Sequence, residues 1–116
     1  MQIHSPSSRV VAVDLHAAVR DHGTLFARVF GKVAGPQHKF AHLTRAFANT
    51  GTFIHVPADI AIDEPIVVTY RAGDDATFFP YTVVLVEGGA TVTIVERIEA
   101  GRNSLISGVT EIVTAE

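Results

Sequence analysis

The spacing of hydrophobic residues changes near Gly51, and this change divides the chain into two parts. Before Gly51 apolar side chains recur at helical intervals, whereas after it they form short runs such as Phe53–Val56 and Ile66–Val68. A proline follows or precedes these runs within a few residues, and runs of this length are too short for helices but suit strands. The pattern therefore predicts an N-terminal helical region over residues 1–50 and a β region over residues 51–116.

Three short helices are predicted in the first part. Asp14 is a suitable N-cap for a helix over Leu15 to Asp21, which Gly23 ends. The second helix ends at Gly31, and its apolar face consists of Leu25, Phe26, Val29 and Phe30. The third begins at Gly35-Pro36, because proline is well placed at the first helical position. Its inward stripe consists of Phe40, Leu43 and Phe47.

The second part is rich in Thr, Val and Ile and is interrupted by Gly, Pro, Asp and Asn. The longest strands are predicted in TVVLV (82–86) and TVTIVERI (91–98), with polar turns at Ala72–Asp75 and Ala100–Asn103. Another short run lies at Ile60–Ile62. The apolar units do not follow a strict period, so this pattern suits either stacked coils of short strands or a small β-sandwich.

Composition narrows the class of protein. The chain has 116 residues, 47% of them hydrophobic, which is enough for one small domain with a core. Its net charge is -3 and its nine Lys and Arg residues are scattered, which gives no support for nucleic-acid binding. No apolar run reaches the ~20 residues of a membrane span, and the N-terminus does not resemble a secretory signal. We therefore expect a soluble protein.

The chain contains no cysteine. This excludes disulfides, thiolate metal sites and cysteine nucleophiles, and it is compatible with the cytoplasm. His38 and His42 have a spacing that can present two imidazoles to one metal, but no third ligand is spaced nearby, and Arg45 shares their predicted outer face. His55 is expected to face opposite Ile54, at a solvent or edge position. We predict no metal site and no cofactor.

Catalytic motifs are also missing. Gly88-Gly89 lacks the following lysine and Ser/Thr of a phosphate-binding loop, so a strand turn is the better interpretation. The candidate carboxylates for acid–base chemistry are Asp63, Glu64, Asp74, Asp75, Glu87 and Glu96. Most of them lie in or beside turns, where short acidic side chains are common for structural reasons. The sequence predicts no catalytic residues, and no enzyme.

Several ordered stretches resemble the SufB/SufD family of iron–sulfur cluster assembly proteins. GTFIHVPADIAIDEPIVVTY (51–70) is similar to the entry into that family's core, and FFPYTVVLVEGGATVTIVERI (78–98) to its next strands and turn. SGVTEIVTAE (107–116) resembles a later stretch, and VVAVDLHAAVRDH (10–22) with HKFAHLTRAFANTGTF (38–53) resembles the segment before the core in SufD-like members. The resemblance covers almost all of the chain from Val10.

This resemblance implies a right-handed parallel β-helix and a role in iron–sulfur cluster assembly. In the family a SufD-like subunit pairs with SufB and with the SufC ATPase, and the regions that contact SufC lie beyond the part that this chain matches. We therefore expect a non-catalytic scaffold or interaction module that corresponds to the N-terminal portion of a SufD-like protein. None of the family's functional residues has a counterpart here.

Self-association is the last expectation, because the final strands would expose edges and apolar side chains without a following cap. The predicted homodimer surface consists of Leu105, Ile106, Val109, Ile112 and Val113. Two other functions stay open at this point. A β-sandwich that binds a sugar would need surface aromatics, but the chain has no tryptophan and its only tyrosines are Tyr70 and Tyr81. An enzyme would need a strongly shifted carboxylate in a cleft.

Overall fold

The computed structural model of the protein describes residues 1–32, 48 and 50–115. Its strands and helices follow in the order β1 (Gln2–His4), β2 (Val11–Asp14), α1 (Leu15–Asp21), α2 (Gly23–Ala27), β3 (Thr50–Val56), β4 (Ile66–Ala72), β5 (Thr77–Phe78), β6 (Pro80–Val86), β7 (Ile94–Ala100), β8 (Leu105–Ile106) and β9 (Val109–Thr114). The described part is mainly β with two short helices, which confirms the predicted mainly β class with helices near the N-terminus.

Strands of the β region pair in parallel with strands that lie three elements further along the chain. Thr50 of β3 pairs with Pro80 of β6, and Ile66 of β4 pairs with Ile94 of β7. The pairs β5–β8 and β6–β9 are also parallel. We call β3–β5 the first pass of the chain and β6–β8 the second pass. Each pass therefore adds one strand to each of three sheets. The β-sandwich considered above would instead pair its strands antiparallel.

Two N-terminal strands, which were not predicted, pair antiparallel with the first pass. β1 runs along β4 and β2 runs along β3, so the sheet orders are β1-β4-β7 and β2-β3-β6-β9. These strands were missed because each has at most four residues and its partner lies far away in sequence. They cover two strand edges of the first pass that would otherwise be open.

Both faces of β3 and β6 are buried, because β4 packs against the inner face and the helices pack against the outer face. The inner side chains pack in one cluster with β4, and this cluster includes Ile54, Val56, Ile66, Val68, Tyr70, Val84 and Val86. The outer side chains pack against the helices in a second cluster, which includes Ala18, Val29, Phe53, Tyr81, Val83 and Leu85. The seven residues of β6 are therefore all buried.

The first helix is confirmed with its predicted bounds and cap. The Asp14 carboxylate accepts a 2.8 Å hydrogen bond from the amide of Ala17, and α1 covers Leu15–Asp21. The second helix is shorter than predicted, since it ends at Ala27 and gives way to turns. The predicted third helix, with its apolar stripe and the pair His38 and His42, lies outside the described residues.

The strand predictions are confirmed in part. TVVLV lies in β6, and the stretch 91–98 contributes to β7, which begins only at Ile94. The run Ile60–Ile62 is not a strand, because only Ala61 forms an isolated bridge, to Thr91. The turns at 72–75 and 100–103 are present, and Asp75 and Asn103 adopt positive φ angles there. No helix in the described ranges is both long and apolar enough to cross a membrane.

Candidate functional site

The five residues predicted to form a homodimer surface lie on the last strands of two sheets. Leu105 and Ile106 form β8, and the other three lie on β9, which ends the sheet β2-β3-β6-β9. Leu105 and Ile112 are 51% and 54% exposed. The remaining three, Ile106, Val109 and Val113, are half-buried. The structure thus brings the five residues to one end of the stacked strands.

These residues do not share one face. Val109 and Val113 pack against the outer cluster beneath the helices. Ile112 instead faces an open groove of about 430 Å³ at the end of the inner cluster. This groove is lined mostly by apolar side chains, among them Val84, Val86, Val92 and Ile94. An apolar surface and unpaired strand edges therefore coincide at this end of the described structure.

A polar network crosses the interior next to this groove. The fully buried Tyr70 hydroxyl donates to Thr52 and also lies 2.9 Å from the Thr82 hydroxyl. Thr82 donates to one Glu96 oxygen at 2.7 Å, and Thr110 donates to the other at 2.9 Å. Burial raises the pKa of Tyr70 above its ordinary value, and the hydrogen bonds with Thr52 and Thr82 lower it by a smaller amount. Glu96 is thus an inward residue that joins facing sheets.

Sequence reasoning missed this network, although the chain carries a signal for it. Thr52, Thr82 and Thr110 occupy one register position, since Thr52 pairs with Thr82 and Thr82 pairs with Thr110. The signal is the interval of about 30 residues that separates one strand from its parallel partner. Threonines that recur at this interval indicate hydroxyls stacked in one row. Such a row supports specific packing, because buried hydroxyls need partners.

Glu111 is a second functional-looking residue that the sequence did not single out. Its side chain is fully buried on the outer side of β9. It accepts hydrogen bonds from the Tyr81 hydroxyl and, at 2.7 Å, from the amide of Gly31. Its partner Gly31 has a φ of 74°. These contacts tie the segment after α2 to the last strand, a structural role.

His55 and Glu87 form a contact on the outer side of the sheet. His55 faces away from Ile54 as predicted, but its side chain is only 13% exposed and lies 3.3 Å from a Glu87 oxygen. Arg28 donates a 2.9 Å hydrogen bond to the same oxygen. That bond is the main cause that lowers the pKa of Glu87, with a smaller contribution from His55. The cluster joins the end of α2 to the sheet.

The turn carboxylates act locally. Asp74 accepts a 2.6 Å hydrogen bond from the amide of Arg102, and Asp75 accepts one from the Asn103 side chain. Gly88 accepts from the Asp59 amide in a strand turn, as expected for the Gly-Gly pair. Asp63 and Glu64 line an open depression of about 230 Å³. In the described ranges, no three His, Asp or Glu side chains form a cluster that could hold a metal ion.

The two tyrosines considered for sugar binding are not on the surface. Tyr70 and Tyr81 are both fully buried, so neither ring presents a face on which a sugar could stack. Tyr70 belongs to the inner cluster and Tyr81 to the outer one. A surface built on these two rings is therefore not available.

Comparison with known proteins confirms the resemblance that the sequence motifs predicted. The chain is 26% identical over 113 residues to the iron–sulfur cluster assembly protein SufD of Bacillus subtilis (strain 168), and the match covers 92% of this chain and 26% of the relative. It is 31% identical over 109 residues to iron–sulfur cluster assembly SufBD family proteins of Staphylococcus epidermidis and Staphylococcus aureus (strain USA300), covering 90% of this chain and 23% of each relative. The chain spans about a quarter of the length of these curated relatives. No protein-family model matches it.

Proposed function

We propose that this chain, a relative of SufD and SufBD family proteins, is a non-catalytic scaffold or interaction module of iron–sulfur cluster assembly. The observation that carries the proposal is the similarity to these proteins over nine-tenths of the chain. Its counterparts in such an assembly would be SufB-like and SufC-like subunits. Cluster assembly of this kind, and a chain without cysteine, fit the cytoplasm.

The proposed architecture is the start of a right-handed parallel β-helix over residues 51–116, preceded by an N-terminal region over residues 1–50. The parallel registers of β3–β6–β9 and β4–β7 support it, because successive coils of similar length would produce such registers in every sheet. Connections between parallel strands of one sheet are right-handed in almost all known cases.

The non-catalytic role is supported by what the carboxylates do. Glu96 joins facing sheets, Glu87 binds Arg28 and His55, and Asp74 and Asp75 stabilise turns. These hydrogen bonds assign a structural task to each of the four acidic side chains. The proposed function does not require them to transfer protons.

We also propose that the chain forms a homodimer through the end that carries Leu105, Ile106, Val109, Ile112 and Val113. A second copy would cover the apolar groove beside Ile112 and give partners to the strand edges. Mass measured by light scattering at several concentrations, for the parent and for Ile112→Lys, tests this. A parent that stays monomeric, or a dimer indifferent to the lysine, would contradict it.

The scaffold role is tested by co-expression of the tagged chain with SufB-like and SufC-like subunits of the same organism. We expect the chain to retain a SufB-like subunit during purification and to hydrolyse no ATP by itself. Elemental analysis after aerobic and anaerobic purification should find less than stoichiometric iron and zinc. Loss of both subunits, ATP hydrolysis by the chain alone, or one tightly held metal ion per chain would overturn the proposal.

A further inference from the structure

The outward side of the sheet β1-β4-β7, which faces away from the inner cluster, carries an open groove of about 470 Å³. β4 is the middle strand of this sheet, so the groove lies over the face of the sheet and not at a strand edge. Its lining consists of Gln2, Ile3 and His4 from β1, Val67 and Thr69 from β4, and Arg97 from β7. The groove therefore offers hydrogen-bond donors from three strands, and none of its lining residues is acidic.

Thr69 is buried in this groove without a partner for its hydroxyl. Its neighbours Val68 and Tyr70 belong to the inner cluster, and successive side chains of a strand alternate, so Thr69 points outward into the groove. The residue is only 6% exposed. Its hydroxyl forms no hydrogen bond with another described residue. Because a buried hydroxyl without a partner costs free energy, this position indicates a ligand atom that accepts a hydrogen bond from it.

Two longer donors flank Thr69. Gln2 and Arg97 are its register partners on β1 and β7. Neighbouring strands lie about 5 Å apart and register partners share a face, so the three side chains form one row across the outward side. Threonine is short, whereas glutamine and arginine are long enough to rise above it on both sides. The row therefore forms a concave seat with the Thr69 hydroxyl at its floor.

Arg71 fixes which end of the Gln2 side chain is left for a ligand. Its guanidinium donates a 3.1 Å hydrogen bond to the Gln2 side-chain oxygen and a 2.7 Å hydrogen bond to Glu99. The Gln2 amide therefore keeps its nitrogen, a donor, for other partners. Glu99 balances the charge of Arg71, whereas Arg97 forms no ion pair within the part of the chain that the structure describes. The groove thus has one guanidinium in excess.

We propose that the row of Gln2, Thr69 and Arg97 binds a phosphate group, either inorganic phosphate or the phosphate of a small phosphomonoester. His4 lines the same groove and adds an imidazole N–H. Donors on three sides suit an oxyanion with three or more oxygen atoms better than a planar carboxylate with two. Arginine pairs with phosphate through two parallel hydrogen bonds, and such charge-assisted bonds are stronger than neutral ones.

The shape of the groove admits both sources of phosphate. Because the groove is open, an ester can place its phosphate group over Thr69 and leave its remaining atoms in solvent. This site goes beyond the proposed scaffold role and does not depend on it, since its residues lie on β1, β4 and β7 within one copy of the chain.

Titration of the isotope-labelled chain, followed by two-dimensional NMR, tests binding and its location. Inorganic phosphate, glycerol phosphate and acetate are added separately at constant pH and ionic strength. We expect phosphate to shift the amide signals of residues 2–4, 67–69 and 97 in a saturable manner, and acetate to bind more weakly. A response to inorganic phosphate alone supports a site for the free ion, and a response to the ester as well supports a site for phosphomonoesters. No saturable shift with either phosphate compound, or acetate bound as tightly as phosphate, overturns the proposal.

Substitutions test the assigned donors. Arg97→Gln should raise the dissociation constant for phosphate by roughly tenfold or more, because it removes the charge that assists the hydrogen bonds. Thr69→Val should raise it several-fold without lowering the free energy of unfolding, since the hydroxyl has no partner among the described residues to lose. Arg102→Gln is the matched control, because it removes the same charge from a highly exposed corner outside the groove. It should leave the dissociation constant unchanged.

The outcomes separate a binding site from general charge attraction and from a structural role. Equal losses of affinity in Arg97→Gln and Arg102→Gln would show charge attraction alone and would overturn the site. A Thr69→Val variant that binds phosphate as tightly as the parent contradicts the seat. A marked loss of stability in Thr69→Val would show that the hydroxyl serves the fold, which also contradicts the inference.

Discussion

The Asn103 side chain donates a 2.9 Å hydrogen bond to the carboxylate of Asp75, its counterpart one pass earlier in the chain. Both residues adopt the left-handed backbone conformation, with φ angles of 53° and 59°. Asn and Asp enter this conformation at lower cost than other residues with a side chain, apart from glycine. The corner therefore repeats its backbone shape and links the two passes through side chains.

Two substitutions of Asn103 at this corner should lower the free energy of unfolding by different amounts. Asn103→Ala should lower the free energy of unfolding by about 1–2 kcal/mol, because alanine is strained at this φ and loses the hydrogen bond. Asn103→Gly should cost less, since glycine adopts positive φ freely. Urea unfolding followed by circular dichroism measures both. Equal losses would show that the backbone conformation is not what the corner requires.

Gly51 has no room for a side chain. A Cβ atom there would overlap the carbonyl oxygen of Tyr81 and lie 2.6 Å from Cδ1 of Leu15. We expect Gly51→Ala to destabilise the protein by roughly 1–3 kcal/mol, because β3 must move away from both β6 and the helix to make room for the methyl group. Gly23→Ala is the control, since a Cβ atom at that position meets nothing within 4 Å. A thermal unfolding midpoint unchanged by Gly51→Ala would be inconsistent with this packing.

The ionised Glu87 side chain should make the folded protein less stable in acid, where it becomes protonated. The Arg28 hydrogen bond makes the pKa of Glu87 lower in the folded protein than in the unfolded chain. Its contribution to stability is therefore fully present above the unfolded pKa and is lost as the pH falls through the folded pKa. Chemical unfolding at a series of pH values should show a shallower acid slope for Glu87→Gln than for the parent. The exposed Glu64→Gln serves as the control, and an identical slope for all three proteins would refute the prediction.

The Tyr70 hydroxyl should contribute to stability through its two threonine partners. Tyr70→Phe removes the group that contacts Thr52 and Thr82 in the interior, and we expect a loss of about 1–3 kcal/mol. A double-mutant cycle with Thr52→Val isolates the contact, because coupled residues give non-additive losses. Strictly additive losses in denaturant titrations would mean that the hydroxyls act independently.

Local signals in the sequence were sufficient for much of the secondary structure. Asp14 was recognised as an N-cap because its carboxylate acts on an amide in the first turn of the same helix. The turns at 72–75 and 100–103 were recognised because Gly, Asp and Asn favour the backbone conformations found there. The same two turns, AGDD and AGRN, are separated by the same interval as the paired residues of β4 and β7, so their similarity would have revealed that register.

The sequence by itself determined the main strands of the β region, its turns and the first helix, and its ordered motifs indicated the SufB/SufD relationship. Only the tertiary structure decided which strand edges are covered, since β1 and β2 find their partners on β4 and β3, beyond both helices in the chain. It also decided that Glu111 is buried beside Tyr81 and that Glu96 joins facing sheets. The residues next to a glutamate in the sequence do not reveal whether its carboxylate faces solvent or a buried hydroxyl. Its role depends on the side chains that a distant segment places against it.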